Sequence, residues 1–479
     1  MLPHEIIYEI FDLDIISSDT DTLCHLRCVS KDFYEQITKI LFSTFKIKSL
    51  FYLPEKCQDI KDILASGKES IFHHIKSLHL EMFPCSHVDM WFDVLETLIP
   101  RLANLQAVKW DHVLSNNDYP PLVVEDLETR LGLLPNVDEY FLTIRQHPDF
   151  IGSEFPTKRI PVPPFNLRKL SVQWWFSIRP PSPIMSQIST LVANSPDLES
   201  LSFDVTHDFN FEYHFGDQVL FEEVFSATSS LPTDLKLKSL ETRAIEVTSD
   251  DFRRHLRHFR HLERLRIRRD PNLEAPKNIG EILQVLLAER IFLKCLLVDV
   301  FHHPGVFEYL ASYSGIEQLA LKPRHTFDCT PELVDQFFFS VLPAHSTTLK
   351  WLRLGMDWTT IWSGFLQPEH QECLKQCKAL EYLYCWLLLE VEDVEDQNAD
   401  VLTSWLETIN KIPSLRQFKC PPIAISHRTY FLSVGSEHNP DSSIRRFVKH
   451  VVGDFRSHCR IDCEWTFRSN NYSKRCFFH

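Results

Sequence analysis

Glycine is scarce in this chain of 479 residues: it contains 11, and no two lie closer than the step from Gly355 to Gly364. Dinucleotide and P-loop sites need clustered glycines, because backbone N–H groups must approach a phosphate closely. The sequence therefore excludes both kinds of site. Long apolar runs are also missing, since the most apolar stretch, 282–301, carries Glu289, Arg290 and Lys294 near its centre. We expect no transmembrane helix.

Signatures of catalysis and metal binding are absent from the sequence. Cys373 and Cys377 lie near His370 but have no second ligand pair at zinc-site spacing. The acidic run 390–400 lacks the residue order of a calcium loop. No His-Glu-x-x-His or Gly-x-Ser-x-Gly motif occurs. We therefore expect a non-enzymatic protein with no metal and no cofactor.

Charge and the N-terminal residues narrow the class of protein. The formal net charge is −15, which argues against non-specific binding to nucleic acid. Segment 250–261 and the strand pattern after it form the most basic region. We interpret the segment as a solvated helix face, and the alternative is a nucleic-acid-binding patch. The acidic, periodic N-terminus does not look like a signal peptide. We expect a soluble protein of the cytoplasm, the nucleus or both, with reduced cysteines.

The first 45 residues contain three short helical patterns. Pro3 suits the first turn of a helix, and a break at 17–21 ends in residues that cap a second one. Ser30 is placed to cap a third helix, which carries Phe33 and Ile37 on one face. Three helices in so few residues cannot bury this apolar surface alone. They must pack on the next domain, on a partner, or on both.

These residues resemble the F-box motif. The sequence has Leu2-Pro3-His4-Glu5-Ile6-Ile7 with Ile10-Phe11, and later Leu26-Arg27-Cys28-Val29-Ser30-Lys31-Asp32-Phe33, where many members have Trp in place of the final Phe. The resemblance implies that 1–45 docks the Skp-type adaptor of a cullin–RING ubiquitin ligase. The alternative is a plain helical cap for the rest of the chain. By the resemblance, the adaptor-binding residues are Leu2, Pro3, Ile6, Ile7, Ile10, Leu26, Val29 and Phe33.

From residue 75 onward the pattern apolar-x-x-apolar-x-apolar returns at intervals of 23 to 39 residues, close to 31 in most cases. Its first members are Ile75-Leu78-Leu80 and Leu105-Val108-Trp110, and its last is Leu415-Phe418-Cys420. Helical patterns separate the matches, at 88–103, 184–194, 250–261, 331–342 and 399–411. A strand–helix unit that cannot bury its own face must stack on its neighbours.

This repeat resembles a leucine-rich repeat without the asparagine that usually follows each strand. The predicted fold is α/β: a three-helix F-box over 1–45, and an irregular leucine-rich-repeat-like horseshoe of about 12 strand–helix units over 46–441. Residues 442–479 form a capping segment, extended from Arg460 to Phe467. We expect longer excursions at 143–165 and 204–235.

The residues between the apolar positions should stand on the exposed face of the sheet. Because arginine pairs with carboxylate and phosphate, we predict a site there for an acidic or phosphorylated segment. The alternative is a solvated face balanced by acids such as Glu241, with the aromatics packed under a C-terminal cap. The predicted site residues are Arg264, Arg266, Arg268, Arg353, Trp351, Tyr384 and Trp386.

An F-box followed by leucine-rich repeats is a known family combination. The resemblance implies a substrate-recognition subunit that binds the adaptor, and through it the cullin, at one end and a target protein on the repeats. A ligase-independent scaffold for protein–protein interaction remains the alternative. No membrane or nucleic-acid partner is expected.

Overall fold

The computed structural model describes residues 23–25, 28–48, 54–66, 69–82, 88–114, 128–146, 166–175, 180, 182–206, 219–230, 234–268, 278–299, 304–321, 330–354, 368–385, 395–420, 460–466 and 473–478. The chain divides into two compact units. The first comprises Met1–Leu237 with Arg243–Ile245, and the second comprises Lys238–Thr242 with Glu246–His479.

The first unit is built on six parallel strands that neighbour one another in chain order. Helices lie between successive strands, at Pro54–Ala65, Val88–Leu98 and Ser182–Ala193, and a helix at Lys31–Leu41 precedes the first strand. Short 3-10 turns occupy Glu69–His74 and Ile99–Arg101. The strands are β1 Thr44–Lys48, β2 Ser77–Met82, β3 Ala107–Leu114, β4 Glu139–Gln146, β5 Lys169–Trp175 and β6 Ser200–Thr206.

A short helical segment follows these strands inside the predicted excursion 204–235. It contains the helix Phe221–Phe225 and the 3-10 turn Ser226–Ser230. The Ala227 N–H donates to Ser189 Oγ at 2.8 Å, which ties this segment to the helix before β6. This part of the long connection that follows β6 is therefore helical and packs on the helix Ser182–Ala193. Two-residue strands occur at β7 Val219–Leu220 and β9 Ile245–Glu246, on either side of β8 Ser239–Arg243.

The second unit continues the same architecture. From β8 onward its strands neighbour in chain order, and those from β10 to β16 pair in parallel. β17 pairs antiparallel with β16. These strands are β10 Arg264–Arg268, β11 Cys295–Val298, β12 Gln318–Leu321, β13 Trp351–Leu354, β14 Tyr382–Cys385, β15 Gln417–Cys420, β16 Arg460–Thr466 and β17 Ser473–Phe478.

Helices again separate the strands of the second unit. One of them contains a π-helical stretch at Phe337–Val341, between Pro331–Gln336 and Leu342–His345. The helices Ile279–Ala288 and Pro304–Ala311 approach closely, since a Cβ at Gly305 would lie 2.9 Å from the Gly280 carbonyl oxygen. The others are Ser249–Arg254, Pro368–Lys375 and Glu395–Asn410, with a 3-10 turn at Leu256–Phe259.

The predicted repeat register is confirmed. Leu349, Leu352 and Leu354 are completely buried, and the described side chains at the other repeat positions are buried too. This α/β arrangement of stacked strand–helix units is a leucine-rich-repeat-like solenoid. Burying one leucine contributes about 1.5–3 kcal/mol relative to leaving it in water. The repeated core positions are therefore the main source of stability within each unit.

The repeat begins one unit earlier than the sequence pattern indicated. β1 pairs in register with β2, and Phe45 lies opposite Leu78. The triplet Phe42-Phe45-Ile47 has the spacing of the repeat, and Ile47 is buried. The strand therefore spans position 45, where we placed the end of the N-terminal module.

The prediction of a single helix over 250–261 is wrong in detail. A capping box between Thr248 and Asp251 starts the helix, but α-helical geometry ends at His255. In the 3-10 turn that follows, three residues complete one turn, so His255 and His258 share a buried face. Leu256, predicted to lie on the apolar stripe, is only partly buried.

No helix among the described residues has both the length and the apolar character that a membrane crossing requires. The helical pattern predicted over 444–451 lies outside the described residues.

Two sets of side-chain contacts join successive repeats. The first set joins helix side chains to backbone groups near the strands. The Tyr309 hydroxyl donates to the Ile291 carbonyl at 2.8 Å and accepts from the Leu293 N–H at 3.0 Å. His345 makes comparable contacts, with Nε2 2.9 Å from the Leu310 carbonyl oxygen. The Tyr309 side chain thus satisfies backbone groups of the turn that leads into β11, the strand before its own helix.

The second set is a row of charges that alternate in sign, which we call the charge ladder. It runs through the residue that precedes each of nine strands. Those before β4, β5 and β6 in the first unit are Asp138, Arg168 and Glu199, and those before β10 to β15 in the second are Glu263, Lys294, Glu317, Lys350, Glu381 and Arg416. Neighbouring members form ion pairs, at 3.1 Å for Arg168–Glu199, 3.0 Å for Lys294–Glu263 and 2.9 Å for Lys350–Glu317.

Candidate protein-binding face

The polar face of the second unit carries the residues that alternate with the buried ones. On β10 the pattern gives an exposed Arg264 and partly buried Arg266 and Arg268, while Leu265 and Ile267 are buried. The three arginines therefore share one face, as the sequence predicted.

An acidic residue on the neighbouring strand compensates two of these arginines. Glu241 on β8 lies 3.1 Å from Arg266 and 3.4 Å from Arg268. Arg264 also lies close enough to Glu317 to contribute to the low pKa of that carboxyl, which the hydrogen bond from Lys350 lowers most. The β10 arginines are thus partly neutralised from within the second unit. This arrangement agrees with the alternative interpretation, in which the arginines lie on a solvated face and are balanced by acidic neighbours such as Glu241.

The other predicted site residues lie on β13 and β14. In the parallel register, Trp351 lies beside Tyr382, and Arg353 lies beside Tyr384. The rings of Trp351 and Tyr382 stack with centroids 5.4 Å apart and an interplanar angle of 9°. The Arg353 guanidinium lies 4.1 Å from the centroid of the Tyr384 ring. Trp386 lies outside the described residues.

Two strands separate this aromatic group from the β10 arginines. β11 and β12 place Leu297 and Ala320 between Arg266 and Arg353 on the same row of the face. Neighbouring strands lie about 4.8 Å apart, so three steps separate the rows by roughly 14 Å. The predicted substrate residues therefore form two separate groups.

The sequence-based prediction missed Lys419 on β15 and gave Tyr382 no role in the site. Lys419 follows Tyr384 in the register, and its Nζ lies 5.9 Å from the centroid of the Tyr382 ring. The signal was available, because Lys419 occupies the fifth position of the repeat pattern just as Arg353 and Tyr384 do.

The polar face of the first unit is less exposed than predicted. His79 is 8% exposed and Asp111 is 4% exposed, although both occupy positions predicted to face solvent. His79 Nε2 lies 3.1 Å from Asp111 Oδ2, and Arg145 approaches the same oxygen at 3.9 Å. Burial lowers the pKa of His79, opposed by the hydrogen bond with Asp111. Mutual pairing therefore removes these side chains from the binding surface.

The positions predicted to bind an adaptor are described only in part. Val29 is 66% exposed. Phe33 lies within the helix Lys31–Leu41, but its side chain is not described. The other predicted positions, Leu2, Pro3, Ile6, Ile7, Ile10 and Leu26, lie outside the described residues. Within that helix, Ile37 is fully buried, in agreement with the predicted apolar face.

The cysteine and histidine cluster considered for zinc has other contacts. The Cys377 thiol donates to the Cys373 carbonyl oxygen at 3.7 Å, and burial raises the pKa of Cys377 to about 12. His370 Nε2 lies 2.7 Å from Asp335. Across the described part of the chain, no three side chains of the metal-binding types converge.

Comparisons with known proteins give low structural similarity only. No protein-family model matches the chain, and no curated protein matches its sequence. Similar solved structures include the complex of Rad7 and Elc1 in yeast, at 12% identity and a TM-score of 0.37, covering 86% of this chain and 95% of that one. TLR13 in complex with ssRNA13 has 15% identity and a TM-score of 0.32, covering 72% and 43%.

A protein from Bacteroides fragilis has 12% identity and a TM-score of 0.26, covering 80% of this chain and 74% of its own. Similarity this low carries no information about the function of this chain.

Proposed function

We propose that this protein is the substrate-recognition subunit of an F-box-type cullin–RING ubiquitin ligase. In this role the N-terminal motif binds a Skp-type adaptor, and the strand–helix repeats hold a target protein. The protein performs no covalent chemistry itself. It works where the ligase and its target meet, in the cytoplasm, the nucleus or both.

The observation that carries the proposal is the order of the motif and the repeats along the chain. The second half of the motif, Leu26-Arg27-Cys28-Val29-Ser30-Lys31, leads directly into the helix Lys31–Leu41 and then into β1. The exposed Val29 is an apolar contact available to a partner. A large exposed hydrophobic residue is not unusual in itself, so the motif around it provides the specificity of the argument.

Co-purification with the adaptor tests the N-terminal half of the proposal. The intact chain should capture a Skp-type adaptor, and deletion of residues 1–30 should abolish capture. The deletion retains the helix Lys31–Leu41 and β1, so the first unit keeps its first strand. An intact, folded chain that fails to capture the adaptor overturns the proposal.

A point variant refines this test. Val29→Asp places a charge on the exposed motif surface and should weaken adaptor capture. Ile63→Asp is the matched control, because Ile63 is also exposed, at 45%, on the helix Pro54–Ala65 outside the motif. Equal loss of capture in both variants would indicate a general effect on folding, and equal retention would place the adaptor elsewhere.

The runner-up function is a ligase-independent scaffold built from the same repeats. The two functions differ in the fate of a bound partner. A ligase receptor should lower the partner's abundance in a ubiquitin-dependent way, and the deletion of residues 1–30 should restore it. A scaffold should leave the abundance of the partner unchanged.

Target capture on the polar face is tested at the predicted arginines. Charge reversal of Arg264 and Arg266 together decides between the predicted site and the solvated face: loss of target capture, with adaptor binding retained, would assign the target to β10. Unchanged capture would remove the β10 arginines from the binding site.

A further inference from the structure

The cysteines whose side chains the structure describes differ in their access to solvent. Two of them, Cys24 and Cys28, are exposed. The others belong to the second unit and are half-buried or buried: Cys373, and then Cys295, Cys377 and Cys385. Burial raises the pKa of Cys295 to about 11 and that of Cys377 to about 12. Because the thiolate is the reactive form, buried thiols of this kind are inert, and an oxidant reaches Cys24 and Cys28 most easily.

The two exposed cysteines lie close together in one short turn. Residues 23–25 are helical, and Cys28 lies in a turn at 28–29. The Cys28 N–H donates to the His25 carbonyl at 3.0 Å, and the Cys28 thiol donates to the Cys24 carbonyl oxygen at 3.6 Å. The Cys28 side chain therefore points back towards Cys24. Leu23, in contrast, is only 2% exposed, so the apolar side of the turn is buried and the cysteines are on its outer side.

The pair lies at the surface proposed to bind the adaptor. Cys28 directly precedes Val29, which is 66% exposed and belongs to the second half of the motif. The next helix starts immediately afterwards, with the Tyr34 N–H donating to the Ser30 carbonyl at 2.8 Å. A change in the backbone at Cys28 would therefore displace Val29 relative to that helix.

A disulfide between the two cysteines would require such a change. Side chains four residues apart on a helix have Cβ atoms about 5–6 Å apart, whereas a disulfide needs Cβ atoms about 3.5–4.5 Å apart. The turn would have to tighten to close this difference. Formation of the disulfide would also remove the thiol hydrogen that Cys28 donates to the Cys24 carbonyl.

We propose that Cys24 and Cys28 are a redox-sensitive thiol pair, and that a disulfide between them prevents capture of the adaptor. The effect on capture rests on the proposed function, whereas formation of the disulfide does not. Accessible cysteines next to a second cysteine are frequent sites of reversible oxidation. In reducing compartments, disulfides are mostly of this transient kind.

A peroxide supplies the oxidising equivalents. The sulfur of one thiolate attacks a peroxide oxygen and breaks the O–O bond, which gives a sulfenic acid and, with the thiol proton, water. The sulfur of the second thiol then attacks the sulfenic sulfur and breaks the S–O bond, and hydroxide leaves with the second thiol proton as water. The two thiols thus lose two electrons, which reduce one hydrogen peroxide to two water molecules. A dithiol reductant reverses the oxidation by thiol–disulfide exchange.

Oxidation of the purified full-length chain tests the proposal. The reduced chain is treated with hydrogen peroxide, the peroxide is removed with catalase, and binding to a purified Skp-type adaptor is measured. The intact mass should show the loss of two hydrogen atoms, and peptide mapping should locate the disulfide at Cys24 and Cys28. The affinity for the adaptor should fall at least about tenfold, and dithiothreitol should restore it.

Two single variants assign the effect to the pair. Cys24→Ser removes one thiol at a position outside the motif, so its reduced form should bind the adaptor like the unmodified chain. Peroxide should change its affinity by less than about twofold. Cys373→Ser is the matched control, because it also removes one thiol but leaves the pair intact. Its binding should remain as sensitive to peroxide as that of the unmodified chain.

Three results would overturn the proposal. They are the absence of a Cys24–Cys28 disulfide after oxidation, unchanged adaptor binding when that disulfide has formed, and loss of binding in oxidised Cys24→Ser equal to that of the unmodified chain. A reduced chain that captures no adaptor would instead overturn the ligase proposal, and with it the effect on capture. The mass and the peptide map would still decide whether the pair forms its disulfide.

Discussion

Removal of the Tyr309 hydroxyl should destabilise the second unit strongly, although only one oxygen atom is lost. Tyr309 is fully buried, and its hydroxyl connects the Ile291 carbonyl with the Leu293 N–H. Tyr309→Phe retains the ring and opens little space, so the cavity contribution is small. The two backbone groups lose a buried partner. Leaving one buried polar group unsatisfied costs about 1–3 kcal/mol.

The expected loss is therefore about 2–4 kcal/mol in the free energy of unfolding, after allowing for partial relaxation of the turn. Urea denaturation monitored by circular dichroism measures the change. Hydrogen exchange provides a local readout, because the Leu293 amide should exchange faster while amides of the first unit stay unchanged. Tyr34→Phe is the matched control at a position 49% exposed, and we expect a change of less than about 0.5 kcal/mol there.

A result below about 0.5 kcal/mol for Tyr309→Phe, with no change in the exchange of Leu293, would refute the reasoning. It would mean that the turn before β11 finds other hydrogen-bond partners when the Tyr309 hydroxyl is absent. Burial raises the pKa of Tyr309 to about 12. The hydroxyl should therefore stay protonated at all pH values used in the assay.

Three further predictions address the ladder, a buried histidine and the core. Glu317→Lys places like charges beside Lys350, so the urea midpoint should fall at low salt, and the difference should shrink in 1 M NaCl. Burial lowers the pKa of His345 below its usual 6.5. On acidification the unfolded chain therefore binds a proton at this histidine before the folded chain does. The free energy of unfolding should fall below about pH 6.5, by up to about 1.4 kcal/mol per pH unit. His345→Gln should make the free energy of unfolding less dependent on pH in this range. Leu319→Ala should lower the free energy of unfolding by about 2–5 kcal/mol, measured by urea denaturation. Phe339→Ala should lower it much less, because Phe339 is 51% exposed.

Each of these predictions has an opposing outcome. A midpoint difference for Glu317→Lys that persists in 1 M NaCl would exclude the ladder charge as its cause. An unchanged pH profile in His345→Gln would assign the acid sensitivity to another group. Similar losses for Leu319→Ala and Phe339→Ala would contradict the burial of the repeat positions.

The repeat register could be predicted from the sequence because it depends on local alternation. Leu352 and Leu354 point into the core, so Arg353 between them has to face the other way. The same rule finds β1 once Phe42, Phe45 and Ile47 are read as a triplet. The strand–helix alternation follows from similarly short-range patterns.

Contacts between repeats could not be predicted in this way. The pairing of Arg266 and Arg268 with Glu241 joins side chains on different repeats. The stacking of Trp351 on Tyr382 depends equally on the register between strands. Spacings between repeats vary too much for sequence distance alone to identify such partners. For that reason the sequence-based prediction treated the β10 arginines and the β13–β14 residues as one site.

Local geometry explains the error in segment 250–261. A continuous helix would bury Phe252, Leu256 and Phe259 together. The change to a 3-10 turn after His255 rotates the later residues, and His258 becomes buried instead of Leu256. Periodicity of 3.6 residues cannot anticipate a change of helix type.

The charge ladder has a consequence for the length of the solenoid. Its signs alternate from one strand to the next, from Glu263 through Lys294 and Glu317 to Lys350 and Glu381. Excision of one strand–helix unit from this row would bring two like charges side by side, which is unfavourable on adjacent strands. Excision or duplication of two units would preserve the alternation. Within the row from β10 to β15, an even number of repeats can therefore be added or removed without placing like charges side by side.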